Sequence, residues 1–178
     1  MYVLRSLLFM GLMLGSLCVS KAQSEPASIP VDSLSLVKAW EATQIVESFV
    51  RYVDTLRAEI WDAAGGPKPD QPGMPVEGRN KELTTQIFLE QGKGAALKAR
   101  IIQTRKGLLR LVPKRKRAKL AREMPLQIEP VPKHSTAKNW EEFKFKQLPV
   151  VAVFPILGKM QSDAKASGKL IIQAILDN

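Results

Sequence analysis

The sequence predicts an all-α domain, a helical bundle resting on two long helices, and three observations carry that expectation. Apolar residues recur at spacings of three and four through two long stretches, about 33–62 and about 149–177. A shorter middle stretch, about 93–112, keeps the same period. The pieces between them are short, rich in Gly or Pro, and read as extended connections. At 178 residues, 45% hydrophobic and 25% charged, the chain has the size of one domain. Its composition excludes a collagen, a coiled-coil rod and a disulfide scaffold.

The elements follow in order. Arg5 precedes a 13-residue apolar run, Leu7–Val19, and then Ser20-Lys21-Ala22-Gln23, with small residues three and one before a cut. Residues 1–22 therefore read as a signal peptide. The run is shorter than the roughly 20 residues that span a bilayer as a helix; an uncleaved anchor is the alternative. Cys18, the single cysteine, leaves with that segment. Residues 23–178 are then one helical domain without a thiol, which excludes a disulfide, a zinc-thiolate site and a cysteine nucleophile.

Asp32 or Ser33 is placed to cap the first helix. Leu36, Trp40, Val46, Phe49, Val50, Val53, Leu56 and Ile60 give its apolar face. Residues 63–80 hold four glycines and four prolines and read as a mobile loop, since neither a helix nor a central strand tolerates that density. Lys81–Gln91 is compatible with a short extended piece or a helical turn. Leu97, Ile101, Thr104 and Leu108 form the stripe of the middle helix, and Pro113 ends it. The basic run Lys114–Met124 is compatible with another short helix. Pro125–Pro132 is extended because of its three prolines, and the alternation of Leu126 and Ile128 allows a short strand.

Trp140, Phe143 and Phe145 lie in an approach segment to the last helix. Pro149 suits that helix's first turn, and Pro155 is expected to bend its start. Val153, Leu157, Met160, Ala164, Ile171 and Ile175 form its packing stripe and are the candidates for a dimer contact. Ala164, Ala166, Ser167 and Gly168 make the middle narrow enough for close approach by another helix. The tryptophans Trp40, Trp61 and Trp140 read as core or dimer-interface residues ahead of a ligand pocket.

Charge is unevenly distributed. Between Gln91 and Arg122 there are twelve Lys or Arg and no acid, whereas Glu25–Glu90 has eleven acids against six bases. Lys114, Arg115, Lys116, Arg117, Lys119 and Arg122 are the candidates for binding a partner or an anion. The readings open for them are a solvated face, an acidic protein partner and an anionic envelope surface. Nucleic acid is not expected, because no Phe, Trp or Tyr lies between Phe88 and Trp140 to stack on bases. No enzyme is expected either. His134 is the single histidine and sits in a loop; Ser135 follows directly, and adjacent residues rarely face each other in the geometry a nucleophile needs. Gly92-Lys93-Gly94 is too short for a phosphate-binding loop, and Glu141-Glu142 are neighbours that point apart. No cofactor or metal site follows from these residues.

Three stretches carry a resemblance: YVDTLRAEIWDAAGG (residues 52–66), GRNKELTTQIFLEQGKGAALKARIIQTRKGLL (78–109) and WEEFKFKQLPVVAVFPILGKMQSDAKASGKLI (140–171). Together they resemble the first periplasmic domain of the GldM/PorM family of gliding-motility and type IX secretion proteins. The third is the most specific, with its Leu-Pro-Val-Val-Ala and its Lys159-x-Gln161-x-Asp163 segment.

The resemblance implies a periplasmic helical-bundle domain, paired as a homodimer and working through contacts with other proteins of the machinery. In the family the domain follows a transmembrane motor helix and precedes β-sandwich domains, together forming a shaft. Here the apolar run has no acid where the motor helix carries a glutamate, and the chain stops at Asn178. The expectation is therefore a stand-alone shaft-base or accessory domain. The alternative is a periplasmic module that binds anionic envelope components or acidic proteins through its basic patch.

Overall fold

A computed structural model describes residues 32–66 and 80–177, within a compact unit of residues 31–178. The expected signal segment 1–22 and most of the expected loop, residues 67–79, lie outside the described residues. Six α-helices, and no strand, are found among those described: α1 (Ser33–Ala63), α2 (Lys81–Thr85), α3 (Lys93–Arg110), α4 (Lys114–Glu123), α5 (Trp140–Phe145) and α6 (Val150–Leu176). The chain is an all-α bundle, as its periodicity predicts. None of these helices is long and apolar enough to cross a membrane.

Asp32 starts α1 by accepting the backbone N–H of Ser35 at 2.5 Å. That bond holds its carboxyl below the usual carboxylate value. The cap is therefore complete above the ordinary carboxylate range and is lost as pH falls through the lowered folded value. Ala42, Val46, Phe49, Val53, Leu56 and Ile60 are buried on α1, a strict four-three alternation. The buried positions of α6 follow the same rule from Val150 to Ala164. Such narrow stripes suit two helices lying side by side along a seam.

The pair is antiparallel. Gly168 lies against Val46, Gln161 against Val50 and Asp54, and the Phe154 ring meets Trp61 edge-on at 5.9 Å. Gln161 Nε2 donates to Val50 O at 3.1 Å and to Asp54 Oδ1 at 2.7 Å, and its Oε1 accepts from Arg57 at 3.4 Å. Lys159 pairs with Asp163 at 2.6 Å along the same helix. Within the motif that makes the third stretch specific, Gln161 thus fastens α6 to α1.

Around this pair the core has two parts. One joins Phe49–Ile60 of α1 to Phe88, Leu97, Ile101, Trp140, Phe145 and the first half of α6. The other joins Ala42 and Val46 to Leu108, Leu120, Met124, Ile171 and Ile175.

Lys81–Gln91, ambiguous in the sequence, is helical. Asn80 caps α2 by accepting from Leu83 N at 2.9 Å. Gln86–Glu90 then widens into a π-turn, closed by Gln91 N on Gln86 O at 2.9 Å, and the adjacent Ile87 and Phe88 are both buried. Gly92 leaves this turn in the left-handed region, φ +73°, where glycine has no Cβ penalty, and α3 begins.

The approach segment 140–145 is helix α5 rather than an irregular lead-in. Asn139 accepts Glu142 N at 2.8 Å, and Glu142 Oε2 in return accepts Lys138 N at 2.9 Å. Six residues suffice because Trp140 and Phe145 anchor both ends in the core. Pro149 is the cap of α6, not its first residue. Pro125–Pro132 is extended without strand pairing. Leu126 N instead donates to Ser167 Oγ at 3.0 Å, and that hydroxyl donates to Asp163 O at 2.8 Å.

Candidate interaction surface at the basic end

The basic run folds as α4, in which Leu120 is the buried residue. With so little apolar anchorage, the helix is tied down by cations bonded to backbone carbonyls. The C-terminus of α3 leaves carbonyls unpaired, and Arg117 takes two of them: Nε donates to Val112 O at 3.0 Å and Nη2 to Arg110 O at 3.1 Å. Lys116 Nζ reaches Ala174 O in the last turn of α6 at 3.4 Å, where a cation also favours the helix dipole. Arg122 Nε donates back to Ala118 O at 3.2 Å, and Lys119 pairs with Glu123 at 3.8 Å. Lys114 and Arg115 are exposed.

The six cations expected as one anion-binding patch thus divide. Lys116 and Arg117 are half-buried and hold helix ends; Lys114, Arg115, Lys119 and Arg122 face solvent.

Arg105 on α3 was not singled out by the sequence and does comparable work. Its guanidinium donates to Leu126 O and, at 2.7 Å, to Ala121 O. Partial burial draws its pKa below the ordinary arginine value. It locks the C-terminal end of α4 and the extended connector onto α3. Its signal in the sequence was weak, because a basic residue in a basic helix does not reveal which carbonyl it meets. Arg105→Met should lower stability by about 1.5–3 kcal/mol, the range for bonds to a charged donor. Arg105→Lys should recover little, because one ammonium does not reproduce the fork. The urea midpoints of the two variants check this.

A groove of about 550 Å³ opens beside these contacts, lined by Ile102, Arg105, Lys106, Leu109, Arg110, Arg117, Gln127 and Ile128. Gln127 is held in place by its own bonds to Arg122 O and Met124 O at 3.0 and 2.9 Å.

Val153, Leu157, Met160, Ala164, Ile171 and Ile175, the expected packing stripe, are buried within the chain's own core. Gly168 and Ser167 are buried there too, which places the narrow waist of α6 against α1. The tryptophans diverge. Trp140 is core, Trp61 packs partly exposed on Phe154, and Trp40 is 66% exposed. With Leu34, Leu36 and Val37 it forms an apolar surface on the first two turns of α1.

His134 is exposed in the connector, and Ser135 Oγ accepts Ala137 N at 3.1 Å. Glu141 is buried beside Lys98 at 3.5 Å, while Glu142 serves the α5 cap. Among the described residues no three His, Cys, Asp or Glu side chains converge as a metal cage requires.

No curated protein matches the chain. Residues 19–178 match the GldM N-terminal domain, as the three resembling stretches predict. That match spans the helices just described, and the chain accordingly belongs to the GldM N-terminal domain family, a family of the gliding-motility and type IX secretion machinery.

Proposed function

We propose that this protein is a non-enzymatic structural or accessory component of the gliding and type IX secretion apparatus. It acts in the periplasm through protein–protein contacts and is exported by residues 1–22. The observation that carries this reading is the family match over residues 19–178. The all-α bundle, built around two long antiparallel helices, is in keeping with that family.

The chain pairs with a second copy, as its resemblance to the family implies. The stripe on α6 is used internally, and Leu34, Leu36, Val37 and Trp40, four exposed large apolar side chains within eight residues of α1, are the surface offered to an isologous contact. The basic end, with Lys114 and Arg115 exposed, is a second contact surface.

Deleting the gene should impair gliding or secretion. Crosslinking intact cells that carry a tagged copy should recover the chain with itself and with components of the machinery. A clean deletion with normal motility and secretion would refute the reading.

A further inference from the structure

The densest charge of the molecule borders a concave, partly apolar surface. Ile102, Leu109 and Ile128 form the floor of the groove, and Arg105, Lys106, Arg110 and Arg117 surround it. None of these four cations is paired with a carboxylate among the described residues. Arg105 and Arg117 are held rigid by the backbone carbonyls they serve, so their charge is presented without further ordering. Lys106 and Arg110 stand exposed on the outer wall.

Three kinds of anion can be weighed against this geometry. A membrane is broad and meets the exposed cations, but it leaves the groove floor empty. An acyl chain reaches the floor, yet the groove is open, with Ile102 49% exposed, and one side of the chain would stay in water. A helix with one apolar and one acidic side satisfies both walls and covers itself. Ile102 and Leu109 are seven residues apart on α3, which places them about 10 Å apart along its axis, two turns of a facing helix.

We propose that this groove docks an acidic amphipathic helix of a partner protein. Its apolar side chains lie on Ile102, Leu109 and Ile128, and its carboxylates lie against Lys106, Arg110, Arg105 and Arg117. This rests on the reading of the chain as a protein-interaction module and names the class of partner its basic end accepts.

The test uses the purified full-length chain and a fluorescein-labelled amphipathic peptide of leucine and glutamate, followed by anisotropy. Saturable binding that weakens as salt rises is expected. It should fall about tenfold or more with Lys106→Glu plus Arg110→Glu, and likewise with Ile102→Asp, all exposed positions whose variants keep the helical circular-dichroism spectrum. Lys114→Ser plus Arg115→Ser, outside the groove lining, should change it little.

Equal loss from that second pair, or equal binding of a leucine/glutamine peptide, would overturn the proposal. Binding to phosphatidylglycerol vesicles with none to the peptide would replace it by a membrane contact. A chain that ignores the peptide although its deletion impairs gliding would sink the groove alone. Peptide binding by a chain whose loss leaves gliding and secretion normal would sink the apparatus role alone.

Discussion

Phe145→Ala is expected to destabilise the domain by about 3–5 kcal/mol, the cost of emptying a fully buried aromatic site. Phe145 has no exposed surface. Its ring stacks on Phe88 with centroids 3.9 Å apart and meets Trp140 edge-on at 5.7 Å. Phe88 belongs to the π-turn and Trp140 to the opposite end of α5, so one side chain joins α5 to the π-turn and braces the helix's own first residue. A helix of six residues does not stand alone in water; without Phe145, Trp140 is the one buried apolar side chain left on α5.

The thermal midpoint should drop by roughly 10 °C or more. Trp140 should become wetter and its fluorescence should shift to the red. Phe145→Leu, which keeps most of the volume, should cost less than half as much. A Phe145→Ala melt indistinguishable from that of the unaltered chain would show that the stack does not secure α5.

Gly168→Ala is also expected to destabilise the domain, a sign opposite to the helix-propensity rule. In an exposed helix interior the change would stabilise by about 1 kcal/mol. Here the new Cβ would stand 2.6 Å from Val46 Cγ2. A helical valine has one favoured χ1 and cannot swing aside, so α1 and α6 must move apart. Overpacking of this kind costs about 1–3 kcal/mol. Adding Val46→Ala clears the space, and the double variant should lose less than the sum of the two single losses. A Gly168→Ala chain more stable than the unaltered one would refute the close approach.

The two long helices were legible because each carries a continuous apolar stripe with strong boundaries, Asp32 before one and Pro149 before the other. The family resemblance was legible from Trp140–Ile171 for a related reason: Gln161 and Gly168 meet α1, and Ser167 meets the connector. What the sequence hid was set by tertiary partners.

Helix α5 had its capping signal, Asn139 followed three residues later by Glu142, but its short length gave no periodicity to read. The π-turn has no pattern of its own, and adjacent Ile87 and Phe88, both buried in it, do not fit one helical stripe. The basic run looked uniform in sequence. Distance to carbonyls divides it, giving Arg117 and Lys116 to helix ends and leaving Lys114 and Arg115 to solvent. Arg105 stood among several like charges, and only the path of the connector, Leu126–Ile128, reveals its task. Trp40, expected as core or dimer-interface residue, is not core: it lies 66% exposed ahead of Ala42, the first buried residue of α1.

Gln161 has a mechanical consequence. An apolar seam resists separation of two helices but resists sliding weakly, since similar side chains replace one another at each heptad. A side-chain amide bonded at once to Val50 O, Asp54 Oδ1 and Arg57 has no equivalent one turn away. Any axial displacement of α6 along α1 breaks those bonds together. Helix α1 is 31 residues long, about 46 Å at the α-helical rise. Gln161 therefore acts as a shear pin near the middle of the pair, opposing slip of one long helix along the other.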